Sequence, residues 1–156
     1  MDKNDVIESF QTILEKNNKI KNIVLHDDNA KYSACEITIN NKKTCFRKGK
    51  ITPTKSGHFV SLWKHSDKSN IPYDINDNYE LYVFEIEYDK DKLGYFIFPS
   101  AILSKHKILS TDDSIGKLGF RLYGPMYKLK NKTSINTQKW QSVYFYYAND
   151  LKKIKL

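Results

Sequence analysis

The sequence lacks the residue patterns of secreted, membrane-spanning and zinc-binding proteins. It contains only two cysteines, and its four histidines lie at no spacing typical of a zinc site. No run of about 18 uncharged apolar residues is present, and the first residues lack the basic, apolar and small-residue regions of a signal peptide. We therefore expect a cytoplasmic protein with no membrane span, no metal site and no cofactor.

Acidic residues are also missing from two long intervals of the chain. None occurs between Glu36 and Asp67, where there are seven Lys or Arg residues, and none between Asp113 and Asp150, where there are six. From Asp67 to Lys92 the sign reverses, with eight acids against three lysines. A lysine-rich codon bias is one explanation for the formal net charge of +8, but it does not account for this segregation. The pattern therefore favours a polyanionic partner such as nucleic acid.

The chain length and the hydrophobic periodicity predict a single α+β domain. A chain of 156 residues fits one compact domain, so we interpret residues 1–156 as a single unit. Apolar residues recur at helical spacing near the start and predict an N-terminal helix, namely Val6, Ile7, Phe10, Ile13 and Leu14. We expect this helix to pack on a sheet.

The segment "YSACEITINNKKTCFRK" alternates between apolar and polar residues around Asn40–Asn41 and predicts a β-hairpin. If those two asparagines form the turn, Cys35 lies opposite Phe46, and Cys45 lies opposite Glu36. The two thiols then point to opposite faces of the sheet, because successive side chains on a strand alternate. A disulfide between them is therefore not expected.

Further strands are predicted by "HFVSLWK", "YELYVFEIEY", "GYFIFP" and "LGFRLYGP", and a short helix by "SAILSKHKIL". The segment "TQKWQSVYFYYAND" fits either a helix or a strand, because both periods can be drawn through it. The fold class is α+β. We expect a mainly antiparallel or mixed sheet of five or more strands, with the N-terminal helix and one or two further short helices.

The acid-free intervals supply the candidate nucleic-acid contacts. Cations that would hold phosphates are Arg47, Lys48, Lys50, Lys55, Lys64, Arg121 and Lys139. Arg47 is the most specific of these, because a guanidinium can form two parallel hydrogen bonds to one phosphate. We expect backbone contacts to dominate and sequence preference to be weak.

Hydroxyls and tryptophans accompany these cations. Thr52 and Thr54 surround Lys55 in "TPTKSG", which resembles an anion-binding loop in composition but can also be a simple hairpin turn. Trp63 and Trp140 are candidate stacking surfaces for the bases of a DNA or RNA strand, including a single strand. The alternative is that both indoles belong to the core. The sequence leaves both alternatives open.

Several segments resemble the MepB family of bacterial proteins. The matching segments, which extend from Tyr32 to Phe145, are "FRKGKITPTKSGHFVSLWK", "IPYDIND", "GYFIFPSAIL", "GKLGFRLYGP" and "TQKWQSVYF". Met126 departs from the pattern, since we expect a tryptophan there. The family takes its name from a gene cluster that also encodes a multidrug efflux pump and its repressor. The resemblance implies a bacterial cytoplasmic protein and no particular catalytic residues.

A nuclease and a protein-interaction module are the two alternatives. A nuclease of the restriction-endonuclease type needs an Asp, then Asp or Glu, X, Lys, with the carboxylates holding Mg²⁺. Asp74 or Asp77 followed by Glu85 and Glu87 supplies the acids, but the only Asp-X-Lys is Asp150–Lys152. An interaction module linked to an efflux operon would instead use the acidic middle and the basic intervals on complementary partners. We expect a binding protein rather than an enzyme.

Overall fold

The computed structural model describes residues 7–156. In chain order its elements are α1 (Glu8–Leu14), β1 (Ile20–Leu25), β2 (Cys35–Ile39), β3 (Lys42–Lys48), β4 (Lys50–Ile51), β5 (His58–Ser61), β6 (Trp63–Ser66), β7 (Ser69–Pro72), β8 (Leu81–Asp89), β9 (Lys92–Pro99), α2 (Ser100–Lys105), β10 (Gly119–Leu122), α3 (Lys132–Ser142), β11 (Phe145–Tyr147) and α4 (Ala148–Leu151). Single 3₁₀ turns lie at Ala30–Tyr32 and Ile75–Asp77.

The strands form a six-stranded sheet, a three-stranded sheet and a separate hairpin. The large sheet has the order β1-β2-β3-β8-β9-β11, in which β3 and β8 are parallel and the other neighbours antiparallel. The small sheet has the order β10-β5-β4, and β6 pairs with β7. These elements confirm the α+β class with a mixed sheet.

Two hydrophobic clusters cover opposite faces of the large sheet. On one face, α1 buries Phe10, Ile13 and Leu14, and α4 adds Leu151. Four of the five apolar residues that predict the N-terminal helix lie in this cluster, and Val6 lies outside the described residues. On the other face, the small sheet and α2 bury their apolar side chains, and α3 packs Trp140 against them.

The hairpin between β2 and β3 has the register that the sequence predicts. Cys35 pairs with Phe46, and Glu36 pairs with Cys45. Asn40 and Asn41 form its turn with φ of 49° and 68°, the left-handed conformation that a two-residue type I′ turn needs at both positions. The two thiols are free and lie in different core clusters, which confirms that they form no disulfide.

The ambiguous segment after residue 131 forms a helix and then a strand. Asn131 caps α3, because its side-chain oxygen accepts hydrogen bonds from the amides of Thr133 and Ser134. The aromatic residues after α3 instead pair with β9 as β11. At eleven residues, α3 is too short to cross a bilayer core, and no other helix within residues 7–156 is long and apolar enough to do so.

Candidate nucleic-acid interface

A continuous depression lies between the loop at 52–57, strand β10 and helix α3. It consists of three neighbouring cavities of about 470, 670 and 660 Å³. Arg121 and Tyr123 line both the first and the second cavity, whereas His106, Thr137 and Trp140 line both the first and the third. We call this continuous surface the basic groove.

Every charged side chain that lines the basic groove is a cation. These side chains are Lys55, Lys117, Arg121, Lys128, Lys130 and Lys139. Residues 7–156 form four ion pairs, and none of the six groove cations takes part in them. The positive charge of the groove is therefore not neutralised by neighbouring carboxylates.

Two glutamines attach α3 to the segment after β10. Gln141 is fully buried, and its side-chain oxygen accepts a 2.8 Å hydrogen bond from the amide of Tyr123. Its side-chain nitrogen donates to the carbonyl of Arg121 at 2.9 Å. One turn earlier, Gln138 donates to the carbonyls of Gly124 and Tyr127. These bonds set the position of the helix wall relative to the strand that carries Arg121.

Arg121 fixes the opposite wall. Its Nη2 donates to Thr52 Oγ1 at 2.9 Å and to the carbonyl of Ser56 at 2.8 Å, and its Nε donates to the same carbonyl at 3.1 Å. The loop ends at Gly57, whose φ is 81° and where a Cβ atom would lie 2.6 Å from the carbonyl oxygen of Leu122. Only glycine fits there. The loop at 52–57, whose composition resembles an anion-binding loop, therefore forms a wall of the groove that hydrogen bonds from Arg121 hold in place.

Trp140 lies in the groove but is already stacked on another ring. The imidazole of His106 lies parallel to its indole, with 3.8 Å between the ring centroids and 6° between the planes. Burial lowers the pKa of His106, so the imidazole is neutral at pH 7. The indole also contacts Phe98 at 5.5 Å. The interpretation of Trp140 as an open stacking surface is therefore corrected, since His106 occupies one face of the indole.

Two of the expected phosphate contacts are engaged by carboxylates. Lys48 lies 3.7 Å from Glu85, its register partner on β8, and Lys64 pairs with Asp77. Neither lysine lines the basic groove. An ammonium held by a carboxylate carries little free charge for a phosphate, so these two assignments are not retained.

Arg47 is 0% exposed, which corrects its assignment as a phosphate contact. Its Nη1 donates to the carbonyl of Phe46 at 2.8 Å and contacts Cys45 Sγ at 3.3 Å, and its Nη2 donates to Tyr73 Oη at 2.9 Å. Burial raises the pKa of the Cys45 thiol and raises that of Tyr73 to about 12, so both groups are neutral at pH 7. The guanidinium is a core group that hydrogen-bonds neutral partners.

The remaining candidates divide between the groove and its surroundings. Lys50 and Arg121 both pair with Phe59 on β5, which places all three side chains on one face of the small sheet. The Lys50 ammonium lies 5.2 Å from the centre of the Tyr32 ring, beside the groove. Thr54 is exposed in the loop at 52–57. Trp63 lies on the β6–β7 hairpin and is not among the groove residues.

The acids of the nuclease alternative are dispersed. Asp77 accepts from the amide of Asp74 in a capping box and faces Tyr73. Glu85 lies across the large sheet, where it accepts a 2.8 Å hydrogen bond from Tyr95, and Glu87 is exposed. Within residues 7–156, no group of three or more His, Cys, Asp or Glu is arranged to hold a metal ion.

The sequence analysis did not select several groove residues. The omitted cations are Lys117, Lys128 and Lys130, and the omitted rings are Phe59, His106, Phe120 and Tyr123. The three lysines lie in the second acid-free interval, so the absence of acids was the signal that pointed to them. The rings have no comparable signal, because they come from three separate segments that only the tertiary fold brings together.

Comparison with known proteins identifies one family. The model of the MepB-like family matches residues 26–147. The chain is also similar to the crystal structure of MepB, with a TM-score of 0.82 and 31% sequence identity over 96% of this chain and 99% of that one. No curated protein matches the chain.

Proposed function

The chain belongs to the MepB-like family, and we propose that it binds nucleic acid along the basic groove. Phosphate contacts dominate this binding, and sequence preference is weak. The observation that carries the proposal is that six cations and no carboxylate line one continuous groove. A row of phosphates is the ligand whose charge matches such a surface.

The ion pairs favour this groove over the other basic interval. Lys43, Lys48 and Lys64 belong to the first interval, and each lies within ion-pair distance of a carboxylate. That interval contributes only Lys55 to the groove cations. Since unpaired cations retain their field, phosphates are attracted to the groove more strongly than to the first interval.

Hydroxyl groups in the groove add donors for phosphate oxygens. The hydroxyls of Ser56 and Thr133 line the second cavity and have no hydrogen-bond partner within residues 7–156. Side-chain hydroxyls and lysines are common phosphate contacts, and they do not distinguish one base from another. This composition supports weak sequence preference.

The test is the salt dependence of binding to a fluorescent single-stranded oligonucleotide. The groove variant replaces Lys55, Lys128 and Lys130 with glutamine. The matched control replaces Lys16, Lys68 and Lys90, which are also exposed and lie outside the groove. Each lost phosphate contact reduces the slope of log K against log salt by about 0.7, so the groove variant is expected to lose about 2.

The control keeps the same net charge as the groove variant, so it separates local contacts from total charge. We expect its slope to stay close to that of the wild type. Equal slopes for the groove variant and the wild type, or equal losses in both triple variants, would show that the groove is not the interface. A far-ultraviolet circular dichroism spectrum confirms that each variant is folded.

A further inference from the structure

The stacked pair of His106 and Trp140 forms one wall of the first groove cavity. His106 follows the last residue of α2, and Trp140 lies on α3, so two separate elements supply the rings. Their near-parallel arrangement makes them one aromatic unit. Because the imidazole covers one face of the indole, a further ring on that side meets His106 first.

The rest of the lining of this cavity combines aromatic rings with cations. Phe59, Phe120 and Tyr123 also line it, together with Lys117 and Arg121. Its volume of about 470 Å³ lies within the range of about 300–1,000 Å³ that is usual for small-molecule sites. The space suits a flat ring whose attached phosphate lies beside a cation.

A base offers such a ring only when it is unpaired and unstacked. In a duplex both faces of each base are covered by its neighbours, whereas a single strand can place a base on a protein ring. We infer that this cavity takes one unpaired nucleobase of a bound DNA or RNA strand, and that His106 rather than Trp140 is the ring on which the base stacks. This inference rests on the proposed function and names its ligand more closely.

The test compares strands that differ only in their bases. An oligothymidylate and an abasic strand of equal length carry the same phosphates, so a difference in affinity measures base contacts. Stacking is worth about 1–3 kcal/mol per base, and we expect the wild type to bind the oligothymidylate about tenfold more tightly. Oligouridylate and oligodeoxyuridylate carry the same base and differ only in the sugar, so comparing their affinities distinguishes RNA from DNA.

Two variants locate the base. His106→Leu keeps the indole of Trp140 covered but offers no aromatic face, so it should remove the preference for the strand with bases. His106→Phe keeps an aromatic ring and should restore the preference. If the wild type binds both strands equally, or if His106→Leu keeps the preference, the base site is wrong although phosphate binding remains. If neither strand binds at low salt, the proposed function itself is wrong.

Discussion

The side-chain nitrogen of Gln141 donates a 2.9 Å hydrogen bond to the carbonyl oxygen of Arg121, and the guanidinium of Arg121 holds the loop at 52–57. Arg121 therefore connects both walls of the basic groove. Its backbone is attached to α3, and its side chain is attached to the loop. The shape of the groove depends on this relationship more than on any single lysine.

Gln141→Ala is expected to destabilise the protein by about 2–4 kcal/mol, because it leaves the Tyr123 amide and the Arg121 carbonyl without their partner. Gln138→Ala is the matched comparison, since that side chain is only half-buried and uses only its nitrogen on the same segment. Urea unfolding measures both losses. An equal or smaller loss for Gln141→Ala would contradict the role assigned to its amide.

Arg47 is expected to contribute to stability and not to nucleic-acid binding. Arg47→Ala leaves a cavity in a buried site and should lower the free energy of unfolding by about 2–5 kcal/mol. Arg47→Met keeps most of the side-chain volume and should lose less. Anisotropy measured on the folded methionine variant should give the wild-type affinity within about twofold. A flattened salt slope in that variant would return Arg47 to the interface.

Acid is expected to destabilise the fold partly through His58. Its Nε2 donates to the carbonyl of Glu87 at 3.0 Å, and its Nδ1 is buried without a partner among residues 7–156. Burial lowers its pKa below the value of about 6.5 that it has in the unfolded chain. Below a pH of about 6.5, His58 is protonated in the unfolded chain but stays neutral in the folded protein. The contribution of His58 to stability is therefore present above this pH and falls as the pH drops.

Urea unfolding at several pH values between 7.5 and 5 tests this expectation. His58→Gln cannot titrate, and its amide can still donate to the same carbonyl. The difference in stability between wild type and variant should therefore shift in favour of the variant as the pH falls. A constant difference across the series would exclude His58 as a source of the pH dependence.

The Asn40–Asn41 turn offers a stabilising substitution. Asn41→Gly suits the positive φ of 68° and should raise stability by about 0.5 kcal/mol. Asn40→Gly relieves a similar φ but removes hydrogen bonds to the amide of Lys19 and to the carbonyl of Leu156, so it should destabilise. Thermal unfolding distinguishes the two variants. A destabilising Asn41→Gly would show that its side chain has a role beyond the turn.

Local patterns in the sequence were sufficient to predict the α+β class and the β2–β3 register. Alternation along a strand and a two-residue turn are properties of neighbouring residues, so Cys35 and Phe46 could be paired from the sequence. The environment of Arg47 could not be predicted, because β3 becomes an interior strand only when β8 pairs with it in parallel. A cation on an edge strand and one on an interior strand look the same in sequence.

The candidate site was predicted only in part, because it too depends on non-local strand pairing. The absence of acids identified the interval that supplies Lys117, Lys128 and Lys130 to the groove. It could not show that the cations of the first interval meet acids from the middle of the chain. Lys48 pairs with Glu85 only through a non-local strand pairing. The charge pattern of a sequence shows which segments are rich in cations. The fold determines which of those cations form ion pairs and which remain unpaired.

The two tryptophans allow the most direct test of the central claim, which is that nucleic acid binds in the basic groove. Trp140 lines the groove, whereas Trp63 lies on the β6–β7 hairpin. With two tryptophans in the chain, the indole N–H region of a ¹H–¹⁵N spectrum contains two side-chain signals, which Trp63→Phe assigns. Addition of oligothymidylate to the wild type should shift the Trp140 signal and leave the Trp63 signal in place. A shift of the Trp63 signal alone, or no shift of either signal when anisotropy reports binding, would contradict the claim.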